Sequence, residues 1–384
     1  MINITRLYCN VKTERDWIRY GERIQNRKPV IVWNLTRKCN LRCIHCYSDS
    51  YNKKYKNELD TSSAKKVIKD LSDFKVPVIL FSGGEPLLRK DIFELLCYAK
   101  SLNIRTVLST NGTLITKELA KKIKDVSCDY VGISLDGIGK VNDYFRQTKG
   151  AFIKARDGFR NCLEMGLRVG LRLTLTKYNY KDLENVFDFI DKENIQRVCF
   201  YHLVYAGRGM NIKDLDLTPG ETRMTMNKIL SKTRDFVEKG KKIEVLTVDN
   251  HVDSVYIYLK LLKENKIRAK EVYKLLKQNG GGLYSSGVGI GCIDYMGEVH
   301  PDQFWMHYTL GNILERPFKE IWMDRKDPLM AGLKNRLILL KGKCSRCKYK
   351  EICGGSLRVR ADIIYNDPWK PDPACYLTKD ELSG

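Results

Sequence analysis

The sequence predicts an α/β protein built around a parallel sheet. From residue 30 onwards, an apolar segment of strand length is followed by a segment with helical periodicity, and this unit recurs six times. The strands are nearly continuous runs of Val, Ile and Leu, which is typical of strands covered on both faces. Six units suit a partial barrel or an open doubly wound sheet, and periodicity alone does not choose between them. The predicted strands are Val30–Leu35, Val76–Phe81, Arg105–Ser109, Tyr130–Leu135, Arg168–Leu175 and Arg197–Val204.

All six predicted strands end in polar or glycine-rich sequence. In parallel α/β folds the reacting groups lie beyond the carboxyl ends of the strands, so these loops are expected to meet at one site. The loops are Thr36–Cys46, Ser82–Pro86, Thr110–Gly112, Ser134–Gly137, Thr174–Asn179 and Tyr205–Gly209.

The pattern divides the chain into four parts. Residues 1–29 form an N-terminal extension, and residues 30–214 contain the repeating strands and helices. Residues 215–286 are charged and have helical periodicity, so we expect a helical linker. Residues 287–384 are rich in cysteine with little regular period, which predicts a distinct C-terminal domain.

Composition limits the class of protein. With 384 residues, 43% of them hydrophobic, the chain is long enough for a large core and is not disordered. It has no apolar run of about 18 residues and no signal-peptide core near its start. We therefore expect a cytoplasmic protein without a membrane partner, whose thirteen cysteines stay reduced. The net charge of +22 is dispersed, as on a solvated surface, although a nucleic acid or polycarboxylate ligand would also suit it.

Three cysteines follow the first predicted strand in one short loop. Cys39, Cys43 and Cys46 are separated by three and two residues, and no fourth cysteine lies nearby. A structural zinc site requires four protein ligands, so three thiolates would leave it incomplete. A [4Fe–4S] cluster held by three cysteines instead keeps one iron free to bind a substrate. The spacing therefore favours an iron–sulfur cluster with an open coordination position.

The loop after the second strand carries another motif, Ser82-Gly-Gly-Glu-Pro86. The two motifs, in this order at successive strand ends, resemble those of the radical S-adenosylmethionine (SAM) superfamily. The resemblance covers about residues 30–209 and implies a partial (β/α)6 barrel, with a [4Fe–4S] cluster on the three cysteines and SAM as cofactor. It also implies that reductive cleavage of SAM yields a 5′-deoxyadenosyl radical.

The same resemblance implies which residues contact SAM. Carbonyl and carboxylate oxygens of the second motif suit the SAM amino group, and an arginine fork suits its carboxylate. A flat ring in the cysteine loop would lie near the adenine. The implied positions are Gly83, Gly84 and Glu85 for the amino group, Ser134 and Arg172 for the carboxylate, and His45 for the adenine.

The C-terminal part contains a second set of cysteines that resembles the SPASM extension of radical SAM maturases. The run Cys344-x2-Cys347-x5-Cys353, followed by Cys375, matches the ligands of one auxiliary [4Fe–4S] cluster. Cys-x2-Cys pairs also build zinc ribbons, so zinc is the alternative at this position.

The tail departs from the complete SPASM pattern at two positions. Asp302 and Leu357 stand where the other auxiliary cluster of the family has cysteines. We therefore expect two [4Fe–4S] clusters in total. Cys292 is left over, either as a core thiol or facing the substrate or a metal together with Asp302. The remaining cysteines, expected to be core residues, are Cys9, Cys97, Cys128, Cys162 and Cys199.

Four local sequences resemble radical SAM enzymes that modify tetrapyrrole side chains in the alternative haem and d-type haem pathways. The likeness is greatest to the 12,18-didecarboxysirohaem deacetylase branch, which removes two acetate side chains to give iron coproporphyrin III. It implies a tetrapyrrole substrate, an electron donor such as ferredoxin or flavodoxin, and no nucleic acid partner. The sequences are Ile4–Cys9, His202–Gly209, Gly297–Trp305, and Leu310–Asn312 with Glu315–Phe318.

Two other functions fit parts of the sequence. A SPASM-type maturase of a ribosomally made peptide often has an N-terminal recognition domain, for which the 29 residues before the first strand are too few. A non-catalytic iron–sulfur or zinc protein that binds RNA would not need an open three-cysteine site. For a tetrapyrrole, the candidate polar contacts are Arg208, His300, His307, Arg316 and Arg358, and the candidate walls are Phe304, Trp305 and Tyr308.

Overall fold

A computed structural model describes residues 1–13, 16, 20 and 27–383. Within these residues a mixed sheet forms the centre of the molecule. Its strands are β1 (Ile2–Asn3), β2 (Val30–Asn34), β3 (Val78–Ser82), β4 (Arg105–Thr110), β5 (Tyr130–Ser134), β6 (Val169–Leu175), β7 (Arg197–His202), β8 (Glu244–Val248), β9 (Ile290–Ile293), β10 (Glu298–His300) and β11 (Gly311–Asn312).

Helices connect the strands and form most of the C-terminal part. No helix in the described ranges is long and apolar enough to cross a membrane. The helices are α1 (Ile4–Leu7), α2 (Thr61–Asp73), α3 (Ile92–Ser101), α4 (Lys117–Asp125), α5 (Lys140–Arg146), α6 (Ala151–Glu164), α7 (Leu183–Lys192), α8 (Pro219–Glu238), α9 (Val252–Glu264), α10 (Lys266–Asn279), α11 (Phe318–Met323), α12 (Pro328–Lys334), α13 (Lys343–Arg346), α14 (Lys350–Cys353), α15 (Arg358–Tyr365) and α16 (Lys379–Ser383).

The order of the strands identifies the type of parallel sheet. The sheet runs β1-β8-β7-β6-β5-β4-β3-β2-β9-β10-β11, so β2 to β8 lie side by side in sequence order. A doubly wound sheet reverses its strand order at a switch point, and no such reversal occurs among β2 to β8. The winding is therefore that of a partial barrel. All six predicted strands are present, with ends within two residues of the prediction.

The helices of the barrel cover its outer face with one apolar stripe each. In α2, for example, the Asp60 side chain accepts the N–H of Ser63 and starts the helix. The same helix buries Ala64, Val67 and Leu71 against the sheet. Because the apolar stripes cover the outside, the opposite face of the strands is free to carry polar side chains into the barrel.

The segment predicted to be a helical linker is helical only in part. Residues 244–248 form β8, which pairs in parallel with β7 and adds a seventh strand to the barrel. The apolar positions Val245, Leu246 and Val248 carried this signal, but the flanking lysine-rich helices obscured it. The boundaries of the four parts remain predictions.

Strands from the N-terminal residues and from the tail extend the sheet at opposite edges. Ile2 and Asn3 pair antiparallel with β8. At the other edge β9 pairs in parallel with β2 and places Cys292 opposite Val32, and β10 and β11 continue the sheet. One continuous apolar core runs from Ile2 to Leu377. The tail therefore packs directly on the barrel.

The cysteines predicted to be core residues differ in burial. Cys128, Cys162 and Cys199 are buried, and Cys9 is half-buried. Cys97 is exposed, so the prediction was wrong there. It lies on α3 but outside the apolar stripe that faces the sheet.

Candidate cluster sites at the barrel mouth and in the tail

The structure brings the three cysteines of the first loop together beyond the carboxyl end of β2. Cys39 and Cys43 pack with two apolar neighbours in a small cluster, and Cys46 packs against it. Each sulfur accepts a hydrogen bond, as expected around metal-bound thiolates. The donors are the N–H of Leu41 to Cys39 at 3.4 Å, the guanidinium of Arg146 to Cys43 at 3.5 Å, and the N–H of Ser50 to Cys46 at 3.5 Å.

Burial makes this loop a poor place for free thiolates. It raises the pKa of the Cys39 thiol to about 12 and also raises that of Cys43. A coordinating metal deprotonates a thiol outright by supplying positive charge. The three sulfurs therefore suit a metal centre better than a reactive free thiolate.

Two glycines hold the second motif against the cysteine loop. The N–H of Gly84 donates to the carbonyl of Thr36 at 2.7 Å, and that of Glu85 donates to the carbonyl of Lys38 at 2.8 Å. A Cβ on Gly83 would lie 2.2 Å from the Thr36 carbonyl oxygen, and one on Gly84 would lie 2.2 Å from that of Lys38. No side chain fits at either position. The motif therefore fixes the cysteine loop through backbone contacts.

The carboxylate of Glu85 is buried and engaged by the protein itself. One oxygen accepts the hydroxyl of Thr110 at 2.7 Å and the N–H of Leu87 at 3.2 Å, and the other accepts the N–H of Asn111 at 2.8 Å. Burial raises its pKa to about 7. These bonds join the ends of β3 and β4. The contact of Glu85 with the SAM amino group remains a prediction.

A buried ion pair that sequence reasoning missed supports the other side of the loop. Asp136 follows β5 and lies 2.5 Å from Nη2 of Arg146 and 3.2 Å from Nε2 of His45. Although burial opposes ionisation, Arg146 and His45 hold the pKa of Asp136 well below its usual range. Asp136 lies in the polar loop Ser134–Gly137, but the sequence of that loop does not indicate Arg146 and His45 as its partners. The His45 ring also packs edge-on against Phe145, and its contact with the adenine remains a prediction.

Ser134 and Arg172 are neighbours on β5 and β6. The guanidinium of Arg172 passes over Gly132, and a Cβ added to Gly132 would lie 2.3 Å from Nε of Arg172. The guanidinium also donates a hydrogen bond to the hydroxyl of Ser109 on β4. It therefore lies deeper in the barrel than Ser134. No ion pair of Arg172 occurs among the described residues, so its charge is able to receive a carboxylate.

Arg208, a predicted substrate contact, supports the cysteine loop. Its Nε donates to the carbonyl of Cys43 at 2.8 Å, and its Nη1 donates to the carboxylate of Asp49 at 2.9 Å. The guanidinium also lies over the ring of Tyr51, 4.5 Å from the centroid. These partners fix Arg208 on the cysteine loop, but its Nη2 has no hydrogen-bond partner among the described residues, and its contact with a substrate remains a prediction.

The other predicted substrate contacts are distributed through the tail. His307 and Arg316 are exposed, and each pairs with an aspartate. Phe304 is buried, and its ring packs edge-on against Tyr47 of the cysteine loop at 5.4 Å. Among the remaining candidates, His300, Trp305 and Arg358 are buried and Tyr308 is half-buried.

Cys292 is buried at the edge of the barrel. Its sulfur accepts a bond from Nδ2 of Asn34 at 3.6 Å, and Oδ1 of Asn34 accepts the hydroxyl of Tyr47 at 3.0 Å. Cys292 thus connects to the first cysteine loop by hydrogen bonds. Asp302 accepts the hydroxyl of Ser286 and a backbone N–H two residues ahead, which is the geometry of a turn. In the part of the chain that the structure describes, no three His, Cys, Asp or Glu side chains are grouped to hold a single metal ion.

The four cysteines of the tail line one small cavity. Cys344, Cys347 and Cys353 are each 9% exposed, and Cys375 is half-buried. The cavity therefore lies close to the surface. Its other walls are mostly aliphatic, with two lysines among them: Val252, Gly355, Leu377, Leu382, Lys343 and Lys350.

A buried arginine with unused donors lies beside this cavity. Nη1 of Arg358 donates to the carbonyls of Pro368 at 2.8 Å and Lys370 at 2.7 Å, whereas its Nε and Nη2 have no partner. Burial lowers its pKa, and that effect is opposed first by Asp372 and then by the nearby Cys344 and Cys353. Buried donors normally find acceptors. The thiolates and sulfides of an iron–sulfur cluster would supply them.

Comparison with known proteins fits this geometry. Residues 33–190 match the family model of the Radical SAM superfamily. Over its whole length the chain is 52% identical to Fe-coproporphyrin III synthase of Methanosarcina barkeri and covers 99% of that relative. The chain belongs to the radical SAM superfamily. Membership implies a [4Fe–4S] cluster and SAM as cofactors, as predicted.

This radical SAM protein is also similar in sequence to two other enzymes. It is 41% identical to pre-heme d1 synthase of Dinoroseobacter shibae, over 92% of the chain and 87% of the relative. It is 30% identical to mycofactocin maturase MftC of Mycobacterium tuberculosis, over 90% of the chain and 82% of the relative.

Solved structures share the fold of this radical SAM protein. SuiB of Streptococcus suis bound to precursor peptide SuiA matches with a TM-score of 0.70 and 20% identity, over 91% of the chain and 76% of SuiB. The protein anSMEcpe with bound AdoMet and a peptide matches with a TM-score of 0.71 and 19% identity, over 91% of the chain and 94% of that protein. The predicted fold class, a radical SAM barrel with a cysteine-rich C-terminal extension, is confirmed.

Proposed function

We propose that this radical SAM enzyme removes the acetate side chains of 12,18-didecarboxysirohaem and gives iron coproporphyrin III. The observation that carries the proposal is the 52% identity, over the whole chain, to a protein named Fe-coproporphyrin III synthase. The identity to pre-heme d1 synthase is lower, at 41%. Both relatives are named for tetrapyrrole products, which supports a tetrapyrrole as the substrate class.

In this proposal Cys39, Cys43 and Cys46 hold the cluster that acts on SAM. The N–H and guanidinium donors around the three sulfurs support this assignment. When bound, the cluster supplies the electron that cleaves SAM to methionine and a 5′-deoxyadenosyl radical. Arg146 offsets the negative charge of the thiolates, and Asp136 holds Arg146 in place.

The SAM contacts implied by the family resemblance are part of the same proposal. Gly83, Gly84 and Glu85 lie directly against the cysteine loop, which is where the SAM amino group must be held. Ser134 and Arg172 are neighbours inside the barrel, which supports a shared carboxylate site. A guanidinium without an acidic partner is well suited to a carboxylate.

A second [4Fe–4S] cluster is proposed for Cys344, Cys347, Cys353 and Cys375. The support is that all four line one cavity, next to the unused donors of Arg358. We further propose that residues 30–214 generate the radical and that residues 287–384 hold the auxiliary cluster. Asp302 and Leu357 leave the other auxiliary set incomplete.

The substrate is a flat apolar macrocycle with anionic side chains, so its site should combine aromatic walls with cationic contacts. Phe304 of the tail and Tyr47 of the cysteine loop meet edge-on at the barrel mouth. Arg172 is assigned to the carboxylate of SAM, so the cations for the macrocycle must come from other side chains. We propose that the ring contacts the aromatic pair of Phe304 and Tyr47.

The test is a substrate panel assayed by mass spectrometry. Anaerobically reconstituted protein is incubated with SAM, reductant and either didecarboxysirohaem or a candidate precursor peptide. Loss of both acetates from the tetrapyrrole, only in the presence of SAM, is the expected result. A peptide maturase is the second candidate, because the chain is 30% identical to mycofactocin maturase MftC. A modified peptide beside an unchanged tetrapyrrole would favour that candidate and contradict the deacetylase.

A further inference from the structure

Positive charge is concentrated around the auxiliary cysteine cavity. Residues 328–350 contain seven Lys or Arg and no Asp or Glu. Two of the seven, Lys343 and Lys350, line the cavity itself. Two others lie beside its cysteine ligands: Arg346 directly precedes Cys347, and Lys348 directly follows it. We call these four cations the basic rim: Lys343, Arg346, Lys348 and Lys350.

The basic rim is accessible and mostly unneutralised. Lys343, Arg346 and Lys348 are exposed. The ammonium groups of Lys343 and Lys350 donate to backbone carbonyls, which leaves their charge uncompensated. Within the described residues, no ion pair joins any of the four to a carboxylate. The rim therefore presents net positive charge to solvent, and two of its members, Lys343 and Lys350, border the cysteine cavity.

The cavity beneath the rim is shallow. Three of its four thiols retain 9% exposure, and the fourth, Cys375, is half-buried. A cluster held there would lie close to the molecular surface. A redox partner docked on the rim would thus be separated from it by little protein, which favours electron transfer.

We propose that the basic rim is the docking surface for a small acidic one-electron carrier of the flavodoxin type. The proposal rests on the second cluster proposed above. In the step, one electron passes from the reduced flavin to the oxidised [4Fe–4S] cluster, and no atom is transferred. Charge complementarity steers such encounters and raises association rates by about 10- to 1,000-fold at low salt. Redox encounters also use small interfaces, so a compact patch is sufficient.

A second basic region lies near the first cysteine loop, and its charges are more balanced. Five cations and three carboxylates line a groove there: Lys38, Lys54, Lys56, Arg89 and Lys90 with Glu58, Asp60 and Asp91. Arg89 is 2.7 Å from Asp91 and 3.6 Å from Glu58, so its charge is neutralised. Because three carboxylates lie among the five cations of this groove, it should attract an anionic protein less strongly than the basic rim, whose four cations have no carboxylate among them.

Three double variants, each changing the net charge by four, test the proposal. Arg346→Glu with Lys348→Glu reverses the rim. Lys54→Glu with Lys56→Glu reverses the rival groove, and Lys121→Glu with Lys122→Glu on α4 is the remote control. SAM cleavage is measured against the concentration of reduced flavodoxin at low and high salt, and also with dithionite.

The rim variant should lose about tenfold or more in kcat/KM for flavodoxin at low salt, and the loss should shrink at high salt. Its dithionite-driven rate should match that of the parent. Equal behaviour of the rim variant and the α4 control would overturn the proposal, and so would a larger loss in the groove variant. Iron analysis distinguishes a wrong docking surface from a missing second cluster. About four irons per chain in the parent protein would refute the second cluster, and with it the transfer of an electron at the basic rim.

Discussion

The two cysteine sites differ in the segments that form them and in the polarity of their surroundings. The three cysteines at the barrel mouth come from one loop of eight residues, and strand ends from across the barrel hold that loop in place. Its surroundings are polar and contain the buried Asp136–Arg146 ion pair. In the tail, Cys344, Cys347 and Cys353 lie within ten residues and Cys375 comes from a later segment, and the four line a cavity with mostly aliphatic walls.

This difference indicates different tasks. The first site is assembled by the same loops that would contact SAM, so a change there should affect the chemistry directly. None of the residues that line the second site belongs to these loops, and two lysines, Lys343 and Lys350, border it. It should therefore affect electron supply and turnover more than the cleavage of SAM itself.

The largest expected effect separates the two sites by activity. Cys43→Ala should abolish the cleavage of SAM to 5′-deoxyadenosine and methionine, because it removes a ligand of the cluster that supplies the electron. Cys347→Ala should keep slow, uncoupled SAM cleavage with dithionite but lose product formation. Chromatography of 5′-deoxyadenosine checks both. If both variants cleave SAM like the parent, the assigned roles are wrong.

The cluster content sharpens the same comparison. Reconstituted protein should contain about eight irons and eight sulfides per chain, and replacing Cys39, Cys43 and Cys46 together by Ala should leave about four of each. Iron and sulfide analysis measures this directly. A count near twelve would show a third cluster despite Asp302 and Leu357. Stoichiometric zinc in the tail would contradict the auxiliary cluster.

A buried ion pair attaches the tail to the barrel. Arg360 contacts both carboxylate oxygens of Asp372, at 2.9 and 3.0 Å, and also donates to the carbonyls of Leu203 and Asp249 at the barrel mouth. Arg360→Met should lower the free energy of unfolding by about 3–5 kcal/mol, because it leaves a buried carboxylate unpaired. Denaturant unfolding measures this, and Lys341→Met, at an exposed ion pair, is the control. Equal effects of the two variants would contradict the role of Arg360.

The same pair predicts a pH dependence. Although burial opposes ionisation, Arg360 holds the pKa of Asp372 below its usual range. Its stabilising contribution is therefore present above the unfolded-state pKa of about 3.9 and is lost as the pH falls below it. The stability difference between the parent and Arg360→Met should shrink as the pH falls, and it should begin to shrink above about pH 4, because burial raises the pKa of Asp372 once Arg360 is removed. A difference that stays constant down to pH 3 would argue against the ionised pair.

Smaller effects test how the glycines of the second motif support the cysteine loop. Gly84→Ala should cost about 1–3 kcal/mol and weaken cluster retention, because its Cβ would collide with the carbonyl of Lys38. Gly220→Ala in α8 is the matched control, since no atom lies within 4 Å of its added Cβ. It should change stability by about 0.5 kcal/mol or less. Thermal unfolding and iron retention give the comparison, and similar losses in both variants would remove the steric argument.

The sequence was sufficient for the parts of the site that depend on local spacing. Strand and helix periods predicted the six barrel strands, and motif spacing predicted that Cys39 and Gly84 meet at neighbouring strand ends. It did not reveal contacts between distant residues, such as Asp136 with His45, or Asn34 with Cys292. These depend on register between strands, which one sequence does not specify. The packing of Arg208 on the cysteine loop likewise depends on contacts that the sequence does not specify.

The central claim is that a radical formed at the first cysteine loop acts on a didecarboxysirohaem. The most direct measurement is an anaerobic time course with SAM, reductant and 12,18-didecarboxysirohaem, in which mass spectrometry follows 5′-deoxyadenosine and the tetrapyrrole together. Iron coproporphyrin III should appear in step with 5′-deoxyadenosine, with both acetates lost, and neither should form in Cys43→Ala. Continued formation of 5′-deoxyadenosine beside an unchanged tetrapyrrole mass would contradict the account.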